Sequence, residues 1–128
     1  MKALLDTHTF LWWNLDSPQL STAARGFLSD GRNEIYFSAA SAWEIAIKYA
    51  KGRLELPAAP DIYVAERLAR HRFTPLPIQL SHALHVHQLP DIHPDPFDRL
   101  LIVQSQLENM PLLTGDPLIA QYAVQIVW

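Results

Sequence analysis

Apolar residues along this chain fall into short blocks, and the spacing within them switches between the two regular structures. "KALLD" (Lys2–Asp6) is an apolar run ending on an acid and predicts a buried strand. "THTFLWWNL" turns to helix, with Thr7 read as its cap. "DSPQLSTAARGFLSDG" holds a second helix, begun by "SP" and stopped near Gly31. "NEIYFSA" is the next strand. "SAASAWEIAIKYAKG" comes next as an alanine-rich helix closed by Gly52. Its apolar positions Ala39, Trp43, Ile47 and Ala50 recur every three or four residues, on one face. A further helix begins after Pro60, and "TPLPI" reads as a weak strand because of its two prolines. A short helix lies between Ser81 and Pro90, then a longer one from about Pro96 to Asn109. "PLLTGD" is again a strand ending on an acid. "PLIAQY" is a helical turn and "AVQIVW" a last strand.

Strands therefore alternate with helices, and the first and fourth strands are apolar throughout. That combination predicts a mainly parallel sheet covered on both faces, a three-layer α/β/α sandwich forming one domain over residues 1–128.

Composition narrows the class. Hydrophobic residues make up 49% and charged residues 18% of the 128, as in a globular protein. No apolar run approaches the roughly 20 residues needed to cross a bilayer, and Asp6 interrupts the N-terminal apolar segment too early for a signal peptide. A cytoplasmic location with no membrane association is expected. The absence of cysteine excludes a disulfide scaffold, thiol catalysis and cysteine-ligated zinc. His82 and His85 share a helical face, but no third zinc ligand is placed near them. The net charge of -3 is opposite to that of a typical nucleic-acid binder. Positive charge is nevertheless concentrated at Arg67–Arg72 and at Lys48, Lys51 and Arg53.

The acids are the informative residues. In an open α/β sheet, ligands bind beyond the carboxyl ends of the strands. Asp6 ends the first strand, Asp116 lies past the "LLT" strand across Gly115, and Glu44 lies early in the helix after "IYF". Asp98 joins them only if the loop from Pro90 to Pro96 folds toward that edge. Each acid also has a local explanation. Asp6 and Asp116 can cap the helical turns after them, and Glu44 can pair with Lys48 at i+4. In "HPDPFDR", Pro96 suits the first helical position, so Asp95 falls at the N-cap and Asp98 at the third position. Taken together, however, the acids would crowd one cleft. Crowding predicts that Asp98 and Asp116 have raised pKa values without a cation. An oxygen-only ligand set selects Mg²⁺ or Mn²⁺, which suits phosphoryl chemistry. His93, beside Pro94, is expected to brace the loop carrying Asp95.

Four blocks, "LLDTHTFLWW", "SAASAWEIAIKYAKGRL", "HPDPFDRLLIVQSQ" and "LLTGD", resemble in order and spacing the PIN-domain ribonucleases, in particular the VapC-type toxins of bacterial toxin–antitoxin pairs. The resemblance implies an α/β/α sandwich, endonuclease activity on an RNA substrate, and a Mg²⁺ or Mn²⁺ site built from four acids. Matched block by block, those acids are Asp6, Glu44, Asp98 and Asp116, all intact here. It also implies a cognate antitoxin protein as inhibitor. Adjacent Trp12 and Trp13, together with Ile62, Tyr63, Val64 and Leu68, supply apolar material for that contact and for a homodimer. Lys48 and Arg99 are the basic residues expected nearest the site. Two rivals remain. One is a phosphatase-type hydrolase on an α/β fold, although the second acid such enzymes need is His8 here. The other is a non-catalytic protein-binding domain whose acids are only caps.

Overall fold

A computed structural model describes residues Met1–Trp128. Five strands form one parallel sheet: β1 (Lys2–Leu5), β2 (Glu34–Ser38), β3 (Thr74–Leu76), β4 (Leu112–Leu113) and β5 (Ile126–Val127), in the order β3-β2-β1-β4-β5. Six helices connect them: α1 (Thr7–Leu15), α2 (Thr22–Ser29), α3 (Ala39–Ala50), α4 (Pro60–His71), α5 (Leu80–His85) and α6 (Pro96–Leu107).

The central strand explains the layering. Side chains alternate across a strand, so Ala3 and Leu5 point to one face of β1 and Leu4 to the other, and all three are fully buried. Ala3 and Leu5 join Phe10, Ala24, Phe37, Tyr63 and Leu113 in one core layer. Leu4 joins Ala40, Leu101, Ile102, Leu112 and Ile119 in the other. A strand buried on both faces has no polar position, which is why "ALL" and "LL" read as unbroken apolar runs. The three-layer α/β/α architecture is as the sequence predicts.

Several boundaries differ from expectation for local reasons. Thr7 is the first residue of α1, not its cap. Asp6 occupies the cap position and accepts the Phe10 N–H with its backbone carbonyl, but its side chain makes no capping bond, because the carboxylate is turned to Thr114. The second helix starts at Thr22, capped by Ser21 Oγ, which accepts from the Ala24 N–H at 3.0 Å; the "SP" at Ser17–Pro18 lies in the preceding turn. The Ala39–Trp43–Ile47–Ala50 stripe of α3 faces outward, and Trp43 is 55% exposed. The inward face is Ala40, Ser41, Glu44 and Ile45. Periodicity cannot rank an alanine-rich helix's faces when the buried face carries a carboxylate and a serine. β3 is an edge strand and tolerates Pro75, as its prolines suggest.

Candidate metal centre and active site

The parallel strands deliver their carboxyl ends to one edge. Asp6 comes directly after β1 and is 4% exposed. Its Oδ2 accepts a 2.7 Å hydrogen bond from Thr114 Oγ1, just beyond β4. Thr114 Oγ1 in turn accepts from the Asp116 N–H at 3.1 Å. One hydroxyl thus ties the ends of two neighbouring strands and sets the distance between two acids. Glu44, in the second turn of α3, is 2% exposed; its Oε2 accepts from Lys48 Nζ at 2.7 Å. The i+4 pair expected from sequence is present, but it uses only one oxygen.

Asp98 reaches the same cleft, which connectivity alone leaves open. Pro96 opens α6, and Asp95 caps it by accepting from the Phe97 N–H at 2.8 Å. That cap fixes the first turn, and Asp98, 7% exposed, projects from it toward the strand ends. Burial pushes its carboxyl up to about 8, reinforced by the nearby charges of Asp6, Asp95, Glu44 and Asp116. Burial likewise raises Asp6, despite the Thr114 hydrogen bond. Asp116 corrects the crowding expectation. Burial would raise it, but hydrogen bonds from His93 and from the Leu118 N–H outweigh burial and lower it. The cleft therefore holds carboxyls of unequal basicity. Burial would also depress the Lys48 ammonium, but its bond to Glu44 and the charges of Asp95 and Asp98 raise it instead.

Two buried carboxylate oxygens, Asp6 Oδ1 and Glu44 Oε1, have no hydrogen-bond partner. Leaving such atoms unpaired costs on the order of 1–3 kcal/mol each, so both suit a ligand that accepts lone pairs. A hard divalent cation fits this oxygen-rich set.

A family model of the PIN domain matches residues 3–125. The chain belongs to the PIN domain family. Ribonuclease VapC16 of Mycobacterium tuberculosis (strain ATCC 25618 / H37Rv) is 44% identical over 61 residues, which are 48% of this chain and 43% of that protein. The match thus spans less than half the length of this relative. The crystal structure of VapBC2 from Rickettsia felis, bound to a DNA fragment from their promoter, has a TM-score of 0.72. It covers 98% of this chain and 97% of the matched chain at 14% identity, a likeness of fold.

In this PIN domain the sequence reading missed one member of the cleft. His93 is 6% exposed, and its Nε2 lies 2.8 Å from Asp116 Oδ2 and 3.3 Å from Asp98 Oδ2. The expected brace also exists, since the Asp95 N–H donates to His93 Nδ1 at 3.1 Å. The signal was its place two residues ahead of the cap, a spacing that lets one ring serve loop and site together. Arg99 points elsewhere. It donates to the carbonyls of Pro90 and Val86 at 3.1 and 3.4 Å and lies 3.3 Å from the Tyr122 hydroxyl, so it ties down the loop. The basic cluster is partly internally paired: Arg67 and Arg70 both bind Glu66, and Arg67 stacks over Tyr63. His82 serves α5, accepting the Gln79 N–H at 2.9 Å and facing Glu108 at 3.1 Å, with no partner from His85. Trp12 and Trp13 are both half-buried. Trp12 packs 6.0 Å from Trp128, and Trp13 lies edge-on 5.9 Å from His71.

Proposed function

We propose that this PIN domain is a metal-dependent endoribonuclease and the toxin of a toxin–antitoxin pair, with Asp6, Glu44, Asp98 and Asp116 holding Mg²⁺ or Mn²⁺. The observation that carries the reading is the pair of buried, unpartnered oxygens, Asp6 Oδ1 and Glu44 Oε1, in one cleft with a strongly raised Asp98. Family membership and the match to a protein named a ribonuclease support the substrate class. Asp6, Glu44, Asp98 and Asp116 would hold the divalent cation, which would lower the pKa of a water and neutralise charge on a phosphoryl oxygen.

The protein's own part is placement. Thr114 holds Asp6 by one oxygen and leaves the other free. Lys48, with its side chain 41% exposed beside buried Glu44, keeps a positive charge at the rim where a phosphodiester would approach. The first turn of α6 presents its positive end next to Asp98, which favours that group's ionised form once a cation arrives. A capping-only domain has no use for a carboxylate oxygen buried without a partner, and a phosphatase-type hydrolase would need an acid where His8 stands.

The antitoxin reading draws support from the Rickettsia felis neighbour, described as VapBC2 on promoter DNA, and from a groove beside the cleft. Its walls are Leu11, Trp12, Leu15, Lys48, Leu54 and Leu56, enclosing about 320 Å³. Leu15 there is 73% exposed. An antitoxin segment with apolar anchors fits this groove, and a basic side chain on it would pair with the carboxylates in place of metal. Exposed Ile62, with partly buried Val64 and Leu68 on the same helix, supplies an apolar surface for a homodimer. No helix is long and apolar enough to cross a membrane, and the proposed place of action is the cytoplasm.

Purified protein should cut RNA with Mg²⁺ or Mn²⁺ and stop in EDTA, and Asp6→Asn or Glu44→Gln should abolish cutting while the fold persists. Expressed alone it should arrest its host, and co-expression with the product of the neighbouring small gene should restore growth. Full cleavage in EDTA would defeat the metal reading. Harmless overexpression in a host lacking the neighbouring gene would defeat the toxin reading but leave the nuclease.

A further inference from the structure

His93, Asp98 and Asp116 each offer an atom within 4.8 Å of the others, and by proximity alone they form a three-ligand metal site. The hydrogen bonds contradict that count. A backbone N–H can only donate, so the Asp95 N–H at 3.1 Å occupies the lone pair of His93 Nδ1. In neutral imidazole one nitrogen carries the proton and the other accepts. The proton of His93 therefore sits on Nε2, the nitrogen 2.8 Å from Asp116 Oδ2. A nitrogen that carries a proton has no lone pair for a cation.

We infer that His93 is a positioning residue that donates from Nε2 to Asp116, steering the Asp116 and Asp98 carboxylates onto a shared cation while not binding the cation itself. This rests on the reading of the acids as a divalent-cation site. Three hydrogen bonds of one hydroxyl hold the backbone that carries the ring. The Tyr122 hydroxyl accepts from the N–H groups of Ile92 and His93 at 3.2 and 2.7 Å and donates to the Pro90 carbonyl at 2.9 Å. Tyr122 is 6% exposed in the core layer packed against α6, so the loop is tied to the same rigid body as the acids. The chain of contacts runs from the Tyr122 hydroxyl through the loop backbone to His93, and from its ring to Asp116. Its geometry is that of an outer partner holding a ligand, not of a ligand. Losing such partners costs about 10- to 100-fold in metal affinity.

The test is ring ¹⁵N NMR of the whole protein at fixed pH, without metal and then with saturating Mg²⁺, together with Mn²⁺ affinity by calorimetry. In wild type, His93 should show a protonated Nε2 and an unprotonated Nδ1, and both should persist when Mg²⁺ binds. His93→Ala should weaken Mn²⁺ binding about 10- to 100-fold. His93→Gln, whose side-chain amide donates from nearly the same point, should recover most of that loss. Tyr122→Phe should weaken Mn²⁺ binding in the same direction, although its hydroxyl lies outside the acid cluster. Loss of the Nε2 proton on Mg²⁺ binding would overturn the inference and make His93 a ligand. Wild-type affinity in His93→Ala would overturn it too. Asp6→Asn separates the two levels. It should lose Mg²⁺ binding yet keep the His93 proton on Nε2. If wild type itself shows no saturable Mg²⁺ effect, the cation-site reading falls and takes the positioning role with it.

Discussion

Replacing Asp98 with asparagine should make the metal-free protein more stable at neutral pH. The Asp98 carboxyl stands at about 8 in the fold against an ordinary value of 3.8. A raised pKa means that the folded state holds the proton longer than the unfolded chain does. Stability is therefore full below about pH 4 and falls as pH rises through the folded value near 8. Each unit of gap is worth about 1.4 kcal/mol, so about three units between pH 4 and pH 7 amount to roughly 4 kcal/mol. Neighbouring carboxyls share protons with Asp98 and take up part of this, so a gain of about 2 to 4 kcal/mol is expected from Asp98→Asn at pH 7. Asparagine resembles the neutral acid in shape and ends the charge conflict with Asp6, Glu44 and Asp116. For 128 residues, 1 kcal/mol corresponds to roughly 4 °C in Tm. Thermal or urea melts in EDTA at about pH 4 and pH 7 should show the variant matching wild type at the lower pH and exceeding it at the higher. Saturating Mg²⁺ should reverse the order, because only the wild type keeps the ligand. A variant less stable than wild type at neutral pH in EDTA would refute the reasoning, since Asp98 would then be a stabilising carboxylate.

Asp116→Asn should act oppositely. Its carboxyl is lowered in the fold, so it contributes stability above its unfolded pKa that is lost as pH falls through the folded one, and melts of the variant in EDTA at neutral pH should be lower than wild type. Asp95→Ala should cost about 1 kcal/mol in EDTA and in Mg²⁺ alike, because it removes the α6 cap; urea melts under both conditions check this. Gly115→Ala would place its Cβ 2.6 Å from the ring of the C-terminal Trp128, which must swing aside, so it should cost about 1 kcal/mol, the low end for overpacking. In a Trp128→Ala background that cost should nearly vanish, as a double-mutant cycle of denaturant midpoints will show.

The sequence by itself determined the features that depend on few neighbours. Strand and helix order, the parallel sheet buried on both faces and the Asp95 cap all come from apolar blocks, proline and acid placement within a few residues. The location of Asp6 and Asp116 at one sheet edge was equally legible, because parallel strands send all their carboxyl ends the same way. That Asp98 lies beside the other acids was readable only through the family resemblance, since its position depends on how the Pro90–Pro96 loop turns. Three things were left to the tertiary structure. The exposed face of α3 depends on which neighbours need its Glu44 and Ile45, and Trp43 loses that competition. The opposite pKa directions of Asp98 and Asp116 depend on who donates to each: His93 and the Leu118 N–H serve Asp116, while Asp98 has mainly carboxylates around it. The roles of His93, Tyr122 and Arg99 depend on contacts between residues 23 or more positions apart, or on a loop's exact path. Such contacts leave no period or local pattern in a chain, and only the packed fold brings their partners together.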